Sequence, residues 1–147
     1  MTRCRRFRLE DFNHYLVHAT KGKDVENLEE LTIDVISECD DKFATYSEDF
    51  IKKMADSDQP FFLYHCTRGA HIKNYPSAKF KGKSPAKYPY KDCIVEMDDI
   101  LGRLVKTLDD TEQLENTLIF VLSDNGPMME PWPDAGYTPF RGGIGST

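Results

Sequence analysis

Between Asp40 and Met54 the apolar positions Phe43, Tyr46, Phe50, Ile51 and Met54 recur at helical spacing and line one face of a helix. "ADSDQP" closes that helix, because Pro60 cannot continue it. A second helix is predicted over Asp92–Leu108, where Ile94, Met97, Leu101, Leu104 and Leu108 form a stripe spaced three, four, three and four. Two other runs, "PFFLYH" at 60–65 and "TLIFVL" at 117–122, are continuously apolar rather than alternating. That is the pattern of parallel strands covered on both faces. Helix, strand, helix, strand gives an α/β alternation with one right-handed crossover between 60 and 123. Leu31, Ile33 and Val35 alternate with polar residues and fit either a short strand or a first helical turn.

The connections are polar. Residues 1–30 read as irregular, with "HATKGKDVENLEE" as loop, and 66–90 form a long segment rich in Lys, Pro and Gly. A loop of that length belongs to the functional or disordered class. Strands as apolar as these need neighbours for their backbone groups, and the sequence offers none. The expected architecture is therefore part of a larger α/β layer, a small, mostly parallel sheet flanked by helices.

Composition narrows the function classes. The chain has 147 residues, 39% hydrophobic and 30% charged, with a net charge of −6. An acidic balance argues against a nucleic-acid partner, and no apolar run approaches the roughly 20 residues of a membrane span. The basic cluster Arg3, Arg5, Arg6 and Arg8 is followed by no apolar signal-peptide core. As given, the chain is expected in the cytoplasm. Cys4, Cys39, Cys66 and Cys93 have neither zinc spacing nor a C-x-x-C pair and are expected as free thiols.

Candidate chemistry sits where the strands end, since open parallel sheets bind ligands outside their carboxyl ends. The first run leads through Cys66 to His71; the second delivers Ser123, Asp124, Asn125 and Gly126. Asp124 and Asn125 carry oxygen donors of the kind calcium and magnesium prefer, although Asn-Gly-Pro is also strong turn punctuation. Adjacent parallel strands would put His71 and the Asp–Asn pair on one rim. Asp40–Asp41 is expected to cap a helix start, and Asp98–Asp99 to face solvent. His14 and His18, four apart, could share a helix face.

The blocks "DQPFFLYHCTRGAHIKNYP", "YPYKDCIVEMDDILGRLVKTLDD", "LENTLIFVLSDNGP" and "WPDAGYTPFRGGIGST" together resemble the arylsulfatases of the alkaline-phosphatase-like superfamily. The resemblance covers roughly residues 36–147 and leaves 1–35 poorly matched. It implies an α/β/α sandwich of which this chain is an internal fragment, and hydrolysis of sulfate esters. It implies a formylglycine nucleophile made from Cys or Ser in C/S-x-P-x-R, and a divalent cation, usually calcium. Carried over by position, Asp124 and Asn125 match two metal ligands of the S/T-D-N-G block. His71 matches a histidine that contacts the sulfate or protonates the leaving oxygen.

The chain also departs from the pattern. Its cysteine contexts "CRRFR", "CDDKF", "CTRGA" and "CIVEM" do not begin C-x-P-x-R, and Ile144 stands where the family's R-G-x-K-G-S-T block has lysine. The resemblance thus implies part of a metal and sulfate site, inactive alone. The alternative is a stand-alone, non-catalytic protein that self-associates through exposed sheet edges. A phosphatase branch of the superfamily fits the terminal block less well.

Overall fold

The computed structural model describes residues 14–71, 73–127 and 143 of the chain. Two helices form its body: α1, Ile33–Ala55, and α2, Pro89–Asp110. A hairpin precedes them, β1 (Tyr15–His18) and β2 (Glu26–Glu30), paired antiparallel with an irregularity between Leu16 and Val17.

Both predicted helices form, and both begin earlier than their apolar stripes. Thr32 caps α1, its hydroxyl accepting the Val35 N–H at 3.2 Å. This resolves the ambiguous Leu31–Val35 stretch in favour of a helix. Asp40 and Asp41 consequently lie two turns inside α1 and cap nothing. Helix α2 starts with Pro89 in its first turn, where the missing N–H costs no bond. It ends in a Schellman motif: Gln113 N–H donates to the Leu108 carbonyl at 2.8 Å and Glu112 N–H to Asp109 at 2.9 Å. Glu112 takes the left-handed position (φ 57°) where glycine is usual.

The buried face of each helix coincides only in part with its apolar stripe, sharing Ile51 on α1 and Leu108 on α2. On α1 it comprises Ile36, Cys39, Asp40, Ala44, Ser47 and Ile51; on α2 it includes Asp92, Cys93, Glu96, Ile100 and Thr107. Of the stripes themselves, Tyr46 is 56% exposed and Ile94 39%. The helices meet along small and polar side chains, with Ile51 and Ile100 the largest apolar groups fully enclosed. Arg103 of α2 ties the pair, donating to Glu48 at 2.8 Å and to Asp41, both on α1.

The hairpin was not expected. Its turn closes with Lys23 N–H on the Thr20 carbonyl at 3.0 Å, and Gly22 supplies the positive φ (79°) that a type II turn requires at that place. Lys42 of α1 holds both carboxylate oxygens of Glu29, at 2.8 and 2.7 Å, and His18 stacks on Tyr46. His14 and His18 therefore belong to a strand and its approach, not to a helix face.

The α/β character stands, but the parallel pairing within it does not form. Among the described residues the two-stranded hairpin is the only sheet, and neither 60–65 nor 117–122 joins a ladder. No backbone–backbone hydrogen bond engages 118–122 there. Leu118, Phe120 and Leu122 are 86%, 78% and 86% exposed, and Phe62 is 87% exposed. Among the described residues, the exposed faces of these runs meet no strand that could hold them in a sheet. Cys39, Cys66 and Cys93 are free thiols, while Cys4, the N-terminal arginines and Ile144 lie outside the described residues.

Candidate functional site

Buried carboxylates from both helices bind backbone N–H groups of the long segment between them. Asp92, on the first turn of α2, accepts the backbone N–H groups of Gly82 at 2.7 Å and Ser84 at 2.9 Å. Glu96, one turn further on, accepts the Ser77 N–H at 3.1 Å, and Asp40 of α1 accepts the Arg68 N–H at 3.0 Å. All three acids are buried. A loop has no ladder to satisfy its donors, so side chains from the helices take that role. Burial pushes the Glu96 carboxyl above its usual range, against the bonds from Ser77, and the nearby Asp40 charge adds to the rise.

His71 stands in the turn this arrangement supports. Its N–H donates to the Arg68 carbonyl at 2.9 Å. Asn74 donates its side-chain amide to the carbonyls of Gly69, at 2.9 Å, and His71, at 2.6 Å. Arg68 donates to the Lys73 carbonyl at 3.1 Å, and its guanidinium lies 5.9 Å from the centre of the Tyr75 ring. Lys73 adopts φ 62°, a conformation that costs a non-glycine residue energy. His71 is exposed.

Asp124 and Asn125 form the exposed bend that follows the second apolar run, where Ser123 donates its hydroxyl to the Asn125 carbonyl at 2.7 Å. The Tyr64 phenol is held above its usual range first by its hydrogen bond to Cys66 and, last and least, by the negative charge of Asp124. The first run ends at His65. His71 is placed further along the loop that leaves that end, in its own braced turn.

The donors of Asp124 and Asn125 are oxygens, as a calcium-type ion requires, but such an ion takes about six to eight. Among the described residues no three His, Cys, Asp or Glu side chains converge on a cation-sized site. The pair fits part of a coordination shell.

Sequence reasoning missed Asp40, Asn74 and Glu96, the side chains that fix the His71 turn. For Asp40 and Glu96 only a place on a helix hinted at burial, Asn74 lies in the loop itself, and nothing in the sequence paired any of them with loop backbone. It also passed over His65, whose Nδ1 lies 2.9 Å from the Ser47 hydroxyl and whose Nε2 is buried without a partner. Burial lowers the His65 pKa, opposed by the Asp40 charge, which favours the neutral ring.

Comparison with known proteins gives this geometry a context. The chain is 45% identical to the PsFucS1 sulfatase from Pseudoalteromonas sp., and the match covers 89% of this chain and 26% of that one at a TM-score of 0.83. It is 38% identical to human N-acetylgalactosamine-6-sulfatase over 60% of this chain and 16% of the relative. Against human arylsulfatase A it is 29% identical over 58% of this chain and 17% of the relative. The matched stretch thus spans about a sixth of these curated relatives. The sulfatase family model matches residues 10–146. With the matching fold and nearly the whole chain inside that model, the chain belongs to the sulfatase family.

Proposed function

We propose that this chain carries part of the divalent-metal and sulfate site of a sulfuric ester hydrolase. The reading rests on the exposed Asp124–Asn125 bend that ends the second apolar run, with His71 braced on the loop that leaves the first. Asp124 and Asn125 would hold a calcium-type cation, which offsets negative charge on the sulfuryl oxygens. His71 would contact the sulfate and give a proton to the leaving oxygen. Alone, residues 1–147 do not hydrolyse sulfate esters, because no cysteine stands in C-x-P-x-R and two ligands are too few to hold the cation.

An assay of the chain with an aryl sulfate and calcium tests both halves. No turnover is expected; turnover that Asp124→Ala abolishes overturns the inactivity. In the longer polypeptide that supplies the nucleophile, Asp124→Ala and His71→Ala should each lower kcat about a hundredfold. Unchanged rates would overturn the site.

The uncovered faces of 118–122 favour a second reading for the isolated chain, self-association through those segments without catalysis. Sedimentation at increasing concentration should then show dimers or larger species; a monomer throughout would dismiss it.

A further inference from the structure

We propose that Asp40 of α1 and Glu96 of α2 are positioning residues for His71, clamping from below the turn that presents it; this rests on the role of His71 proposed above. The stretch from Arg68 to Ser77 is held at its two ends by two carboxylates from two different helices. Asp40 takes the Arg68 N–H and Glu96 takes the Ser77 N–H. Between those points Asn74 and Arg68 brace the turn from within. The position of His71 is thereby referred to both helices at once, and Arg103 fixes one helix against the other.

Three observations separate a clamp from incidental loop packing. First, Gly69 passes so close to the helices that a Cβ there would lie 3.2 Å from Met97 Sδ and 3.3 Å from Asp40 Oδ2. The turn is pressed onto the carboxylate rather than draped over it. Second, Lys73 is kept at φ 62°, a conformation that persists only where surrounding contacts over-determine it. Third, Glu96 is 4% exposed and its Oε1 has no hydrogen-bond partner. A buried acid with an unsatisfied oxygen is an expensive way to stabilise a helix pair. It does satisfy a buried loop donor, the Ser77 N–H, that has no backbone ladder to take it.

The test is site-resolved amide hydrogen exchange, with the His71 imidazole followed by NMR, on Asp40→Ala, Asp40→Asn, Glu96→Ala and Glu96→Gln. Asp40→Ala should speed exchange at Arg68 and His71 by about tenfold or more, and Glu96→Ala should do so at Ser77. Amides in the middle of α1 and α2 should keep their rates, and the imidazole signals of His71 should shift or broaden. Asp40→Asn and Glu96→Gln keep an acceptor oxygen and should restore most of the protection. Should an alanine variant not fold, Gly69→Ala leaves both acids in place and should loosen the same turn.

Helix amides that accelerate in step with the turn, or a turn left unchanged by the alanine variants, would overturn the proposal. In the longer polypeptide, Asp40→Ala should lower kcat with KM little changed. If His71→Ala spares turnover while the exchange pattern holds, the role of His71 falls and the clamp stands.

Discussion

The helix pair with its loop and the two apolar runs are made from the same chain by opposite logics. In the first region, side chains that look unsuited to burial are buried and almost fully bonded: Asp40, Asp92 and Glu96 among them accept four loop N–H groups. In the second, the residues best suited to burial, Leu118 to Leu122, are exposed, and among the described residues no backbone ladder engages them. Hydrophobic character alone does not place a segment inside; it needs a surface to cover it. The polar region is closed on itself, and the apolar region is open to whatever can cover it.

Ways to break this contrast follow in order of expected size. Ile100 is 2% exposed in the helix seam, so Ile100→Ala should cost about 2–5 kcal/mol in urea unfolding. A loss under about 0.5 kcal/mol would mean that the seam is not the core.

The buried acids should next show opposite pH signatures. The Ser84 hydroxyl above all, then the N–H groups of Gly82 and Ser84, hold the Asp92 carboxyl below its ordinary range, against burial. Its contribution is full above the unfolded value of 3.8 and is lost as pH falls through the lower folded value. Burial raises the Glu96 pKa, so its contribution is full below the unfolded value of 4.5 and is lost as pH rises through the folded one. In urea midpoints measured from about pH 2 to 7, Asp92→Asn should flatten the acid limb. Glu96→Gln should remove the decline toward neutrality. Identical profiles for the two variants would contradict these environments.

Arg103→Ala removes a partly exposed pair of ion contacts, and a loss of about 1 kcal/mol is expected from thermal or urea melts. Smallest of all, Leu118→Ser and Leu122→Ser should each change the stability of the isolated chain by less than about 0.5 kcal/mol. A cost comparable to that of Ile100→Ala would show that the apolar run is covered, and the contrast would fail.

The helices were legible because their apolar positions recur at helical spacing, whereas the strands of the described sheet are not the two apolar runs read as strands. The buried faces were not legible. Cys39, Ala44 and Ser47 are too small or too polar to announce a seam, and the stripes beside them drew the eye instead. The hairpin was not read at all: "HATKGKDVENLEE" passed as loop, and "ENLEE", the second strand, has no apolar pattern. His71, Asp124 and Asn125 stand as candidates through the family resemblance, and their placement at strand ends was the only signal the residues gave. Their supports were not legible, because a carboxylate on a helix looks the same in sequence whether it meets solvent or a loop N–H 28 residues away, as Asp40 does with Arg68.

Gln113, just past the end of α2, donates its side-chain amide to the Ile51 carbonyl in the last turns of α1 at 3.1 Å and to the Thr111 hydroxyl at 2.8 Å. That single amide spans 62 residues of chain, so it can form only after the far ends of both helices have come together. Contacts between residues so far apart in sequence raise the contact order, which across small proteins goes with slower folding. This bond also makes Gln113 a latch whose release would let the C-terminal turns of α1 fray independently of the rest.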